Sequence, residues 1–265
     1  MNIFIREMKD NRKSLILWSI GVLFMVMGGM AKYEAYANTG QSINDIIQQM
    51  PEGIRSILGF GTFDLTQAIG FYVMLSLYLM IMASIHAALI GAHIISKEEQ
   101  DKTAEFLFVK PISRYRIITL KLLAALTNII IFNLVTLFSS IFMVGYYSNG
   151  NQFIGDILYV MIGMFLLQII YLLIGTGIAA ISKNPKRAAA LATGILLVTF
   201  ILSMMIDINN KLQSIKFLTP FKYFEGKNLI FGDGFEPFYL ILSFMIIAIF
   251  GTGTYVFYRK RDLNV

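Results

Sequence analysis

Six stretches of the chain, approximately Leu15 to Ala31, Ala68 to Ile95, Ile117 to Gly145, Gly155 to Ile181, Ala188 to Ile206 and Phe238 to Tyr258, run almost without interruption in apolar residues. Each matches the roughly 20 residues that cross a bilayer's hydrocarbon core at a rise of about 1.5 Å per residue. In hydrocarbon, backbone N–H and C=O groups must find partners inside their own segment, so these runs are helices rather than strands. Composition agrees: 57% of the 265 residues are hydrophobic and 14% charged, with a mean hydropathy of +0.68, whereas a soluble domain is about 25% charged. No long polar tract, Pro-rich linker or fixed-period repeat divides the sequence. Residues 1–265 therefore read as a single all-α integral membrane domain of six transmembrane helices.

Basic residues orient such a bundle. With the N-terminus in the cytoplasm, the groups Arg6 to Lys13, Lys97 to Lys121, Lys183 to Arg187 and Arg259 to Arg261 lie inside, leaving only Lys32, Arg55, Lys211, Lys216, Lys222 and Lys227 of the 22 Lys and Arg residues outside. Both termini are expected to be cytoplasmic, in the cell membrane, and the net charge of +6 reflects this placement rather than nucleic-acid binding. A basic start, an apolar stretch and Ala35-Tyr36-Ala37 imitate a cleavable signal peptide, but the apolar run exceeds the usual 7–15 residues and Lys32 and Glu34 interrupt it. An uncleaved anchor is expected. Met1, Phe4, Ile5 and Met8 repeat at i, i+3, i+4, i+7, which predicts an interfacial helix over 1–14. In the last outer loop Phe217, Phe221, Tyr223, Phe224, Phe231 and Phe235 alternate with lysines. That density of aromatics predicts a loop that re-enters the membrane surface, with Phe221, Tyr223 and Phe224 at an outer gate or interface and Lys222 and Lys227 toward anionic groups.

Chemistry is sparse. There is no G-x-x-x-x-G-K-[ST] phosphate loop: Gly226-Lys227 has Phe221 at the first-glycine position and Asn228 where the hydroxyl belongs. G-x-S-x-G and H-E-x-x-H are absent too, and with no cysteine there is no thiolate chemistry or Cys-based metal site. We expect no catalytic residue, cofactor or metal on this chain. Apart from Asp156 at the start of the fourth run, the ionisable groups within the apolar runs are His86 and His93, seven apart on one face, and Lys121 near an end. Two histidines without a carboxylate or third ligand make a poor metal site. Asn128, Asn133 and Gln168 read as interhelical hydrogen bonders, and Ser84, Ala88 and Ala92, with Gly175 and Ala179, as small-residue stripes for close packing. An ion-coupled carrier would need a midplane carboxylate, and none is present in those runs.

The first inner loop, Ser96 to Arg114, carries the most information. Ser96 and Glu99 form an S-x-x-E capping box, acids follow at the positive dipole end, and Pro111 stops the segment, which predicts a helix over 97–110. Phe106, Leu107, Phe108 and Val109 are apolar although the loop faces water, a pattern that asks for a protein partner or the membrane surface. The order of Glu98, Thr103, Glu105, Phe106 to Phe108, Pro111, Ser113, Arg114 and then Lys121 resembles the first inner loop of type-two permeases of the ATP-binding-cassette (ABC) superfamily, with Lys102 where those proteins usually have Gly. The six spans and the aromatic Thr219-Pro220-Phe221-Lys222-Tyr223 extend the resemblance along the chain.

The resemblance implies a non-catalytic permease subunit of an ATP-driven exporter, with a second permease chain, identical or related, and a separate cytoplasmic ATPase that holds the ATP and magnesium. It implies a coupling helix at 97–110, with Glu98, Thr103, Glu105, Phe106, Leu107, Phe108, Pro111 and Arg114 as the coupling residues, and a cavity lined by the second and fifth spans. A hydrophobic or amphipathic substrate (peptide, lipid-like molecule or drug) would fit that cavity. The residues alone leave a second class open: a non-transporting membrane sensor or immunity protein that binds a membrane-active molecule through the outer loop.

Overall fold

The computed structural model describes residues 3–37, 41–58, 60, 63–101, 112–148, 153–182 and 184–260. Among these the chain is all helical, without strands. In chain order the helices are α1 (Ile3–Ala31), α2 (Tyr33–Ala37), α3 (Gln41–Gln49), α4 (Glu52–Ile57), α5 (Ala68–Gln100), α6 (Arg114–Tyr147), α7 (Ile154–Ile181), α8 (Pro185–Ile208), α9 (Gly226–Phe231) and α10 (Pro237–Lys260). Two 3₁₀ stretches, Asn210–Leu218 and Pro220–Lys222, join α8 to α9. Six of the helices, α1, α5, α6, α7, α8 and α10, are long and apolar enough to cross a membrane. The protein is a multi-pass membrane protein.

The small-residue stripes explain the arrangement. A Cβ on Gly91 of α5 would sit 2.3 Å from the Leu172 carbonyl oxygen of α7, and one on Gly175 of α7 would sit 2.6 Å from the Ala88 carbonyl oxygen of α5. Only glycine allows the two backbones this close, and close approach supplies the dispersion that holds helices together where no water is expelled. The α5–α7 pair forms the spine. α1 packs on α6 and α5, α8 on α5 and α7, and α10 on α7. Polar residues stitch the layers: Asn133 of α6 donates to the Gln168 carbonyl oxygen of α7, and Gln168 Nε2 donates to the Ala83 carbonyl oxygen of α5 at 3.3 Å. The outward faces of α1 and α10 stay apolar, with Leu17, Phe24, Ile241 and Phe244 exposed.

Two expectations change. The N-terminal segment is no separate element: α1 continues unbroken from Ile3 to Ala31, so the expected 1–14 helix is the first half of a 29-residue helix. Its buried face is Ile3, Glu7 and Asn11, at i, i+4, i+8. Ser96 does not cap a new helix either. It lies inside α5, its Oγ donating to the Ala92 carbonyl oxygen at 2.6 Å, and Lys97 to Gln100 complete α5. The capping-box pattern lost because the helix already had four upstream carbonyls to bond, so Ser96 used its hydroxyl on the preceding turn. The cap that exists is Ser113, which accepts from the Arg116 N–H at 3.4 Å and starts α6.

Gly91→Ala forces a methyl group into the Leu172 backbone, and overpacking of this kind costs about 1–3 kcal/mol. Purified protein in detergent is expected to melt at a lower temperature with Gly91→Ala. Gly194→Ala, which meets nothing within 4 Å, is expected to melt no lower than the parent.

Candidate functional site

At the end of the bundle where α1 begins, α5 ends and α6 begins, six charged side chains converge. Glu7 faces inward because Ile3 and Asn11, one turn either way, share its face, and its side chain is fully buried. Glu98 lies one turn beyond Ile94 on the buried face of α5. Lys121 enters from α6 with no exposure at all. Its ammonium lies 2.7 Å from the Glu98 carboxylate, 3.4 Å from Glu7 Oε1 and 2.5 Å from the Ile94 carbonyl oxygen. Arg6 closes the other side, Nη2 donating to Glu98 Oε1 at 2.8 Å and to Glu7 Oε1 at 3.0 Å. Lys97 reaches Asp10 and lies 3.6 Å from Glu7 Oε2.

Arg6, Lys97 and Lys121 balance Glu7, Asp10 and Glu98, so the group buries no net charge. Charges taken from water are tolerated only when each keeps an opposite partner and hydrogen bonds in good geometry. The consequence is mechanical: three helices are locked in one register at the last turn of α5, immediately before the 102–111 segment. Ile3 and Ile117 pack beside the charges, flanked by Ile112 and Leu120. Arg114 is tied to the chain's last helix, its Nη1 donating to the Arg259 carbonyl oxygen at 3.0 Å.

Residues 1–263 match the family described as ABC-2 family transporter protein. The chain is a member of that family. Its members are membrane subunits, generally non-catalytic, that normally work with an ATPase subunit. No curated protein matches the chain.

In this ABC-2 family protein, Glu98 is turned inward to Arg6 and Lys121 rather than presented to a partner. Thr103, Glu105, Phe106, Leu107, Phe108 and Pro111, with most of the expected 97–110 helix, lie outside the described residues. Sequence reasoning did not single out Arg6, Glu7, Asp10 or Lys97 as members of the lock. The signal was the Ile3-Glu7-Asn11 spacing, which puts a carboxylate on the side that later proves buried.

At the opposite end, Phe221, Tyr223 and Phe224 are brought together but not toward lipid. All three are buried, Phe221 against Tyr171 and Phe200, Tyr223 stacked on Tyr239 with ring centroids 4.9 Å apart, Phe224 against Phe235. Burial drives the Tyr223 phenol's pKa up, and its hydroxyl donates to the Phe217 carbonyl oxygen. Lys222, expected to meet anionic headgroups, is buried instead between Asp207 and Glu225. The loop folds onto α7 and α8 because Asp207 of α8 and the loop's own Glu225 supply the countercharge that lipid would have had to supply. His86 is likewise a packing residue, between Trp18 at 5.5 Å and Phe132 at 5.0 Å. Among the described residues no group of three or more His, Cys, Asp and Glu could hold a metal.

Lys121→Met strands Glu7 and Glu98 and is expected to destabilise the protein by about 3–5 kcal/mol, the usual cost of removing one partner of a buried pair. Glu98→Gln should also destabilise, and the double variant should lose less than the sum of the two. Melting of the four proteins forms the cycle. Strictly additive losses would show that the two residues do not act as a pair.

Proposed function

We propose that this ABC-2 family protein is the permease subunit of an ATP-driven exporter, in which a separate cytoplasmic ATPase binds ATP and magnesium and a second permease chain, identical or related, completes the pathway. The cargo is a hydrophobic or amphipathic molecule such as a peptide, a lipid-like compound or a drug, moved out of the cell. Both termini and the 102–111 segment face the cytoplasm, the side on which the basic residues concentrate.

The observation that carries this reading is the lock of Glu98 with Arg6 and Lys121 directly ahead of residues 102–111. Phe106, Leu107 and Phe108 are the docking residues for the ATPase, with Glu105 and Thr103 beside them and Pro111 and Arg114 ending the segment. A push on that segment meets a helix end whose charges are pinned to two other helices, so the displacement passes into α1, α5 and α6 together instead of being lost in a local bend. Phe221, Tyr223 and Phe224 close the far side. Their ring packing excludes water until the helices part.

The test is capture of a cytoplasmic ABC ATPase from the source cell by the purified protein. Phe106→Ala with Leu107→Ala removes two anchors worth about 1.5–3 kcal/mol each when buried. The doubly substituted permease is expected to insert and melt normally but to lose co-purification with the ATPase, or to leave ATP hydrolysis uncoupled from export. Normal binding and normal export would remove the segment from the mechanism. Failure of the unsubstituted protein to capture any ATPase would favour a membrane sensor or immunity protein instead.

A further inference from the structure

The four charges where the far loop meets the end of α8 do not form a symmetric cluster. Lys222 is fixed: its side chain is 2% exposed, held 2.6 Å from Asp207 Oδ2 and paired with Glu225 Oε1. Lys227 is slack. Its side chain is 41% exposed, and its ammonium reaches the remaining carboxylate oxygens at longer range, 3.1 Å to Asp207 Oδ1 and 3.3 Å to Glu225 Oε2. Burial alone would lower the Lys227 pKa, but Glu225 and Asp207 outweigh it and raise it, so the group stays charged.

Asp207, Glu225 and Lys227 line a cavity of about 70 Å³ between α5, α8 and the loop, whose remaining wall includes Phe60, Phe63 and Phe221. We propose that this cavity takes a cationic amphiphile, an apolar body carrying an ammonium-type head, which enters by displacing the Lys227 ammonium from Asp207 and Glu225. Lys227 is then a built-in occupant of the cation position.

Charge decides the ligand's sign. With Lys227 in place the four side chains are neutral in sum, and with it swung into solvent Asp207, Glu225 and Lys222 leave one negative charge facing the cavity. A ligand cation replaces like with like and buries no net charge. An anion would confront two carboxylates while breaking their pairing. The aromatic wall supplies ring faces to an ammonium head, an attraction that strengthens when water is excluded. Removal of the lysine stem enlarges a space otherwise small for a head group, and the half-exposed lysine leaves a path outward for the apolar body. The proposal rests on the exporter reading for its biological meaning, since it names the class of cargo. Binding by the permease alone requires no ATPase, so the two can fail separately.

The experiment uses the full chain in nanodiscs of phosphatidylcholine, with labelled dodecyltrimethylammonium as probe and empty nanodiscs subtracted. The parent protein is expected to bind saturably. Lys227→Met, and Lys227→Ala with its shorter side chain, should each tighten binding about tenfold by removing the resident competitor, since an occupant that fills a site nine-tenths of the time reduces apparent affinity by that factor. Lys227→Arg should keep the parental affinity, and Asp207→Asn should weaken binding in protein whose melting confirms that it is folded. Dodecyl sulfate should compete with none of them. Unchanged or weaker binding in both Lys227→Met and Lys227→Ala would overturn the proposal. So would dodecyl sulfate binding to the parent and lost from the Lys227 variants, which would make Lys227 a receptor for anions.

Discussion

The rest of the bundle depends on the backbone contact between α5 and α7. Gly91 meets the Leu172 carbonyl oxygen and Gly175 meets the Ala88 carbonyl oxygen, so each helix presents main chain to main chain with no side chain between. In a lipid-like environment the hydrophobic effect cannot drive this association, because lipid tails are as apolar as leucine. Close approach and the dispersion it allows must do so. Once the spine exists, Gln168 is placed where it can bond Ala83 and Asn133, and α1, α6, α8 and α10 find fixed surfaces to cover.

The two ends of that spine carry opposite kinds of polar construction. At the near end Glu7, Glu98 and Lys121 are buried and, with the partly exposed Arg6, paired across three helices. At the far end Asp207, Lys222 and Glu225 are similarly closed, but Lys227 is left half in water. α5 reaches both regions, with Glu98 in its last turn and Ser76 in the wall of the far cavity. Those residues are separated by 22 positions, or about 33 Å at helical rise. A helix held by backbone contact along its middle behaves as a rod over such a length, so a displacement of its foot is felt at its head. The family's membership in a transporter group gives that geometry its meaning.

Much was legible in the one-dimensional pattern: six helices from six apolar runs, the placement of the small-residue stripes, and the membership suggested by the loop from Glu98 to Lys121. Ser96 and Glu99 misled, because a capping box looks the same whether it starts a helix or sits at the end of one that has not stopped. Glu7 was not expected in the core, because Met1, Phe4, Ile5 and Met8 suggested that the apolar stripe lay elsewhere on the helix. In the fold Ile5 is 49% exposed and Glu7 has no exposure. Local periodicity reports that a face exists but not which neighbour will cover it.

The sequence by itself determined the elements and their medium, since long apolar runs have one way to satisfy their backbones in hydrocarbon. Only the tertiary structure decided which charges pair. Lys222 and Lys227 are five residues apart and alike in chemistry, yet one is buried and fixed while the other is slack and half exposed. Both share Asp207 of α8 and Glu225, so the difference comes from the depth at which each part of the loop settles on α7 and α8. Burial and ion pairing depend on distances between residues far apart in the chain, and those distances exist only after the helices have packed.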